Sequence, residues 1–223
     1  SLLSALLFSL AGVAGAADYY VSPAGCDAAE TRRTPQLWDY LKTDNKGFFL
    51  TDYVPNLAKT LIEMKVGFTE TSESGMFTAS LMAKRENWTK DLTTISRWDD
   101  VMSFQLDANV DYYNNSTGGS IRPTEGKSIA GETHAYAIQG NQITVDGTTT
   151  TGPNAAVDKP AAGPLLFLAT NFGKGQGNVY TPSRKVYYIN VTTDGEAILR
   201  LRPAIDANGK ATLAGKTAEG RSI

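Results

Sequence analysis

The sequence contains a single cysteine, Cys26, and a single histidine, His134, among 223 residues. One cysteine excludes an internal disulfide, so an exported form would have to rely on its core, on bound ions or on assembly for stability. One cysteine with one histidine also excludes the usual zinc ligand sets. The sequence has no G-x-S-x-G elbow and no G-x-x-x-x-G-K-[ST] loop. Gly173-Lys-Gly-Gln-Gly177 has the glycines of a phosphate-binding loop without its spacing, and reads as a flexible hairpin tip. Basic residues are not in excess either. Lysine and arginine number 21 against 23 acids, a net charge of −2, and this leaves no footprint for nucleic acid.

Long apolar runs are also missing, with one exception. Residues 1–17, SLLSALLFSLAGVAGAA, carry no charge and end in small residues just before Asp18. An apolar stretch followed by a small-residue cleavage site has the form of an export signal. With no initiator methionine and no basic region ahead of it, the segment is not expected to begin at a translation start. A membrane span needs about 20 apolar residues, and this run is shorter and diluted by Gly12 and Gly15. Three roles remain open: a signal remnant, an anchor, or an apolar arm buried against another subunit. In the last two, Leu2, Leu3, Leu6, Leu7, Phe8, Leu10 and Val13 would be covered by lipid or by a second copy. The expected location is extracellular or at the cell surface. In such a chain the N-x-S/T sequons at Asn87, Asn114, Asn115 and Asn190 are glycan acceptor candidates, foremost the overlapping pair Asn114 and Asn115, in what reads as a polar loop.

What remains is of ordinary globular composition, 41% hydrophobic and 20% charged. Residues 18–223 read as one β-rich domain, with a weak boundary in the Thr-, Gly- and Pro-rich stretch 148–164. Helices are expected to be few and short, for instance over Gln36–Leu41. From Thr60, Ile62, Met64, Val66 and Phe68 alternate with polar residues, as do Phe77, Ala79, Leu81 and Ala83 after the polar turn 70–75. This period of two predicts a β-hairpin over 60–84. Residues 102–112 predict one long strand, with Met102, Phe104, Leu106, Ala108, Val110 and Tyr112 on a single face. Further strands are expected at 135–138 and 142–145 around Gly140-Asn141, and at 185–192 and 197–202 around Asp194-Gly195. Leu165–Ala169 has the apolar run of a strand buried on both faces, and a last strand is expected near Ala211–Ala214. Many strands, short turns and few helices predict an all-β fold, an antiparallel jelly-roll-like β-sandwich.

Tyr19-Tyr-Val-Ser-Pro-Ala-Gly25 resembles the opening of many secreted right-handed parallel β-helix proteins, although the coil-by-coil repeat of that fold does not recur downstream. The resemblance implies a secreted carbohydrate-active protein. Trp38, Trp88 and Trp98 with ten tyrosines supply aromatic faces on which sugars can stack.

No catalytic constellation emerges. His134 has no neighbour in sequence that organises it as a base or ligand. A Cys26–His134 dyad lacks local context. The metal question stays open toward calcium, which needs only oxygen ligands. Asp107-Ala-Asn109-Val-Asp111 begins like a calcium loop and then departs from it, and Asp99, Asp100, Asp206 and Asn208 are the remaining oxygen donors considered. The sequence reading is therefore a non-enzymatic, exported subunit of a cell-surface assembly such as a filament, sheath or surface layer. It would pack against copies of itself, without cofactor or nucleic acid, with membrane contact only through residues 1–17. Two alternatives accompany it: a secreted carbohydrate-binding or carbohydrate-active protein, and an outer-membrane β-barrel.

Overall fold

Alternating apolar residues need a partner surface, and in this chain two sheets supply it to each other. The computed structural model describes residues 20–21, 40–43, 49–68, 74–80, 100–106, 110–114, 117, 119–123, 131–168, 184–205 and 211–217. The strands are β1 Tyr20–Val21, β2 Leu41–Thr43, β3 Phe49–Leu50, β4 Thr60–Phe68, β5 Ser74–Ala79, β6 Met102–Leu106, β7 Val110–Asn114 and β8 Gly119–Ile121. They continue with β9 Thr133–Gln139, β10 Gln142–Val145, β11 Thr148–Thr151, β12 Leu165–Phe167, β13 Arg184–Thr193, β14 Glu196–Ile205 and β15 Ala211–Thr217. All pairings among them are antiparallel.

The larger sheet runs β1-β2-β13-β4-β9-β10-β11, and β14 pairs with β13 beyond the end of β2 and carries β15 on its far edge. The smaller sheet runs β3-β12-β5-β6-β7-β8. Between them lies one core. Ile62, Met64, Val66, Tyr136, Ile138, Ile143, Val186, Ile189, Val191 and Leu201 come from the larger sheet, and Phe77, Met102, Phe104, Tyr112, Leu165 and Phe167 from the smaller. The Phe104 and Tyr136 rings meet across the interface at 5.1 Å. Each fully buried Leu, Ile, Met or Phe contributes about 1.5–3 kcal/mol of transfer free energy. The all-β sandwich expected from the sequence is the observed fold, and its two stacked sheets are not the single closed wall of a membrane barrel. Among the described residues no helix is long and apolar enough to cross a membrane.

Several local expectations are corrected. Residues 60–84 do not form a hairpin: β4 pairs with β13 and β9, whereas β5 pairs with β12 and β6. The five residues between the two strands can span about 17 Å when extended, more than the ~10 Å between stacked sheets, and a period of two is the same whether its partner lies beside the strand or across the core. Residues 102–112 are two strands rather than one. β6 and β7 pair with each other, and Phe104 stands opposite Tyr112. The apolar pattern survives the fold because both residues still face the core. Of the short helix expected over Gln36–Leu41, residues 36–39 lie outside the described residues, and Leu41 begins β2. Tyr20–Val21 pairs antiparallel with β2, unlike a coil of a parallel β-helix. Part of the stretch 148–164 is strand β11, reached from β10 through Asp146-Gly147, both at positive φ. That is the geometry of a two-residue hairpin turn.

Asn114 is also corrected as a glycan acceptor. It is fully buried at the end of β7. Its amide nitrogen donates to the carbonyls of Leu57 at 3.0 Å and Gly140 at 3.2 Å. Tyr112, beside it, donates to the Gly140 carbonyl at 2.8 Å. These bonds tie the smaller sheet to the β9–β10 turn of the larger, which is why a polar side chain is retained in the core.

Candidate functional site

The outer face of the larger sheet departs from the usual polar surface. Along β13 the alternation Arg184, Val186, Ile189, Val191 faces the core, and the register against β4 shifts between Val186 and Tyr188. A bulge inserts one extra residue and re-aims side chains. Here it brings Tyr187 and Tyr188 to the outer face together, opposite Lys65. Tyr40, leading into β2, lies 5.5 Å from Tyr187, ring centroid to centroid. The Lys65 ammonium sits 5.1 Å over the Tyr187 ring, and that of Lys185 sits 4.9 Å over Tyr40. The Arg202 guanidinium lies 5.2 Å over Tyr188 and donates to Asn190 Oδ1 at 2.9 Å. The result is a row of rings and cations on β4, β13 and β14 and on the residue that leads into β2.

Beside the row the sheet carries almost no side chain. Gly67 lies next to Lys185 in register, and Ala135 and Ala137 lie next to Lys65 and Glu63. A Cβ on Gly67 would come within 2.5 Å of Thr133 Oγ1, so that position stays bare. The aromatic ridge is thus bordered by a low floor, a form suited to an elongated ligand lying on the sheet.

A second cluster sits at one end of the strands of the same sheet, where β9 begins and β10 turns into β11. His134, on β9, is held by Asp146 Oδ2 at 2.6 Å from Nδ1 and by Glu132 Oε2 at 3.0 Å from Nε2. The other Asp146 oxygen accepts the Ala135 amide at 2.8 Å. Only an imidazolium donates from both nitrogens and so satisfies both carboxylates at once. The hydrogen bond from His134, followed by the Ala135 amide, holds the Asp146 carboxyl below its ordinary value of 3.8. Behind the histidine, burial and then the Asp146 and Glu132 charges push the Tyr136 phenol well above its usual range. Its hydroxyl makes no hydrogen bond among the described residues, so Tyr136 acts there as an apolar ring with a proton it keeps. Arg184, at the start of β13, is fully buried, and desolvation lowers its guanidinium to about 9.

The sequence reading singled out His134 as unorganised; the structure gives it two carboxylate partners. The missed signal was Asp146-Gly147, the hairpin-turn dipeptide between β10 and β11, whose carboxylate reaches the histidine once Gly140-Asn141 has returned β10 alongside β9. The tyrosine pair was missed as well. Its signal was the break in alternation at Val186-Tyr-Tyr-Ile189. Among the other sites named from sequence, Asn190 lies on the outer face bound to Arg202, and Asp100 forms an ion pair with Lys159. Residues 1–17, Cys26, Trp38, Asn87, Trp88, Trp98, Asp99, Asp107, Asn109, Asn115, Gly173–Gly177, Asp206 and Asn208 lie outside the described residues. Among the described residues no group of His, Cys, Asp and Glu has the arrangement of a metal site.

No protein-family model matches the chain. No curated protein matches it either. Solved structures do. A β-glucanase of Bacillus licheniformis overlaps 81% of this chain and 99% of its own, at 12% identity and a TM-score of 0.39. A native glycosidic hydrolase overlaps 67% of each chain, at 16% identity and a TM-score of 0.33. Both are named as hydrolases, and the expectation of a non-enzymatic protein is withdrawn on that finding. Neither overlap assigns a role to any residue of this chain, and the functional reading rests on its own side chains.

Proposed function

We propose that this chain is an exported carbohydrate-active protein that binds glycan on the outer face of its larger sheet. The observation that carries the reading is the row of Tyr40, Tyr187 and Tyr188 interleaved with Lys185, Lys65 and Arg202. Tyrosine joins an apolar ring to a polar tip, and a pyranose is likewise apolar on its ring faces and polar at its rim. The rings offer stacking area, and the ammonium and guanidinium groups donate to ring-rim hydroxyls. The cation–ring contacts restrain the tyrosines before a ligand arrives, which reduces the ordering cost of binding.

The test is glycan binding by the intact chain, measured by calorimetry against a panel of soluble polysaccharides. The double variant Tyr40→Ala with Tyr187→Ala is expected to weaken binding by roughly thirtyfold, the effect of losing about 2 kcal/mol at an aromatic hot spot. Unchanged affinity in the variant would remove the site, and no binding to any glycan would remove the reading.

A further inference from the structure

The glycan-binding reading leaves open which glycans the face takes, and its charge answers that. On this face, among the described residues, β2 contributes Lys42, β4 Lys65, β13 Lys185 and β14 Arg200 and Arg202, while the only carboxylate is Glu63. Asp146, beyond the face and within electrostatic reach of Lys65, is held by His134 and the Ala135 amide. The chain as a whole carries a net charge of −2, so the cations are concentrated against the overall balance.

Their placement also breaks a rule of sheet stability. Lys42 stands directly opposite Lys185 in the β2–β13 register. Like charges directly opposite on adjacent strands destabilise a sheet. The next position on the other side of Lys185 is Gly67, which has no side chain to offer an acid. Among the described residues Lys185 is met by the Tyr40 ring and by no carboxylate on an adjacent strand, and a local rule broken in this way is characteristic of a functional surface. An anion lying across β2 and β13 would relieve it.

Resting on the glycan-binding reading, we infer that the ligand is an acidic glycan, with a carboxylate or sulfate on its repeating unit. The tyrosines stack on its sugar rings, and Lys42, Lys185 and Lys65 meet its charges. These three lysines lie on the successive strands β2, β13 and β4, with adjacent strands about 4.8 Å apart; Lys42 stands directly opposite Lys185, and Lys65 is set diagonally, opposite Tyr188. A glycan chain running obliquely across the strands therefore meets the lysines in turn. Glu63 and Asn190, one step further along the sheet, border the charged row.

The test uses the intact chain and two matched pairs of probes: polygalacturonate with its fully methyl-esterified form, and dextran sulfate with dextran. The acidic member of at least one pair is expected to bind about tenfold or more tightly than its neutral partner, as for loss of a charge-assisted contact. The preference is expected to vanish in about 1 M salt, where the screening length is about 3 Å. It is also expected to vanish in Lys65→Gln with Lys185→Gln, whose fold is checked by circular dichroism. Which pair responds separates carboxylate from sulfate recognition. Equal binding of acidic and neutral members overturns this inference and leaves the glycan-binding reading standing. An acid preference that persists in the double variant overturns the placement on this face. Failure of all four probes, with no binding across the wider panel, overturns both. A single-stranded oligonucleotide bound more tightly than any glycan would replace the acidic glycan with nucleic acid.

Discussion

Toward the smaller sheet, β4, β13 and β14 present Ile62, Met64, Val66, Val186, Ile189, Val191, Leu199 and Leu201, all buried. Away from it the same three strands present Glu63, Lys65, Lys185, Tyr187, Tyr188, Asn190, Arg200 and Arg202. The inner face is close to interchangeable apolar volume, and its residues are selected by burial. On the outer face the large rings are held by cations rather than by packing, and two lysines face each other across strands. One side of a sheet can therefore carry stability while the other carries recognition. The division is possible because a strand sends successive side chains in opposite directions, and the bulge at Tyr187 supplements the outer set without depleting the inner one.

The contrast is broken most directly from inside. Phe104→Ala, which empties the contacts to Phe77 and Tyr136, is expected to lower the unfolding free energy by about 3–5 kcal/mol. Urea denaturation measures this, and a loss below about 1 kcal/mol would mean that the sandwich is not packed around that ring. Asn114→Ala tests the polar link between the sheets. It removes a donor from the Leu57 carbonyl and leaves the Gly140 carbonyl with Tyr112 alone of its two side-chain donors, at an expected cost of about 1–3 kcal/mol. A neutral result would place the amide of Asn114 outside the core.

Acid titration addresses the His134–Asp146 cluster. The folded-state pKa of Asp146 is depressed, so its contribution is complete above the ordinary carboxylate value of 3.8 and is lost as pH falls through the lower folded value. Asp146→Asn is therefore expected to lower the melting temperature at neutral pH and to flatten its decline in acid. Parallel acid limbs for the two proteins would show that the His134 contact contributes nothing. The smallest effect has the opposite sign. Lys42→Gln relieves the repulsion with Lys185 and is expected to stabilise the chain by a few tenths of a kcal/mol, while weakening acidic-glycan binding. Destabilisation, or tighter binding, would dissolve the distinction between the two faces.

Elements bounded by local chemistry were legible before the structure. Asp194-Gly195 marked the β13–β14 hairpin because the two-residue turn requires positive φ at both positions, and both have it. Gly140-Asn141 marked β9–β10 through a turn with positive φ at its glycine, and the apolar run at 165–167 marked a strand buried on both faces. The candidate site was much less legible. Its aromatic row draws on Tyr40 and Tyr187, far apart in the chain, and its histidine meets an aspartate that arrives only when β10 folds back on β9. The polar run after Tyr112 suggested a loop, yet Asn114 is in the core, because nothing in its immediate neighbours reveals that two carbonyls from other elements converge on it.

By itself the sequence determined that the chain is built of strands, where several of them turn, and which residues within each strand must face away from water. Those properties follow from φ/ψ preferences and from a two-residue period, both of them local. Tertiary structure decided that β4 and β5 part into different sheets, that residues 102–112 fold on themselves, and that scattered tyrosines and lysines share one surface. A side-chain period states that a face needs covering. It does not state what covers it, since the free energy of burial is the same for any apolar partner of adequate shape.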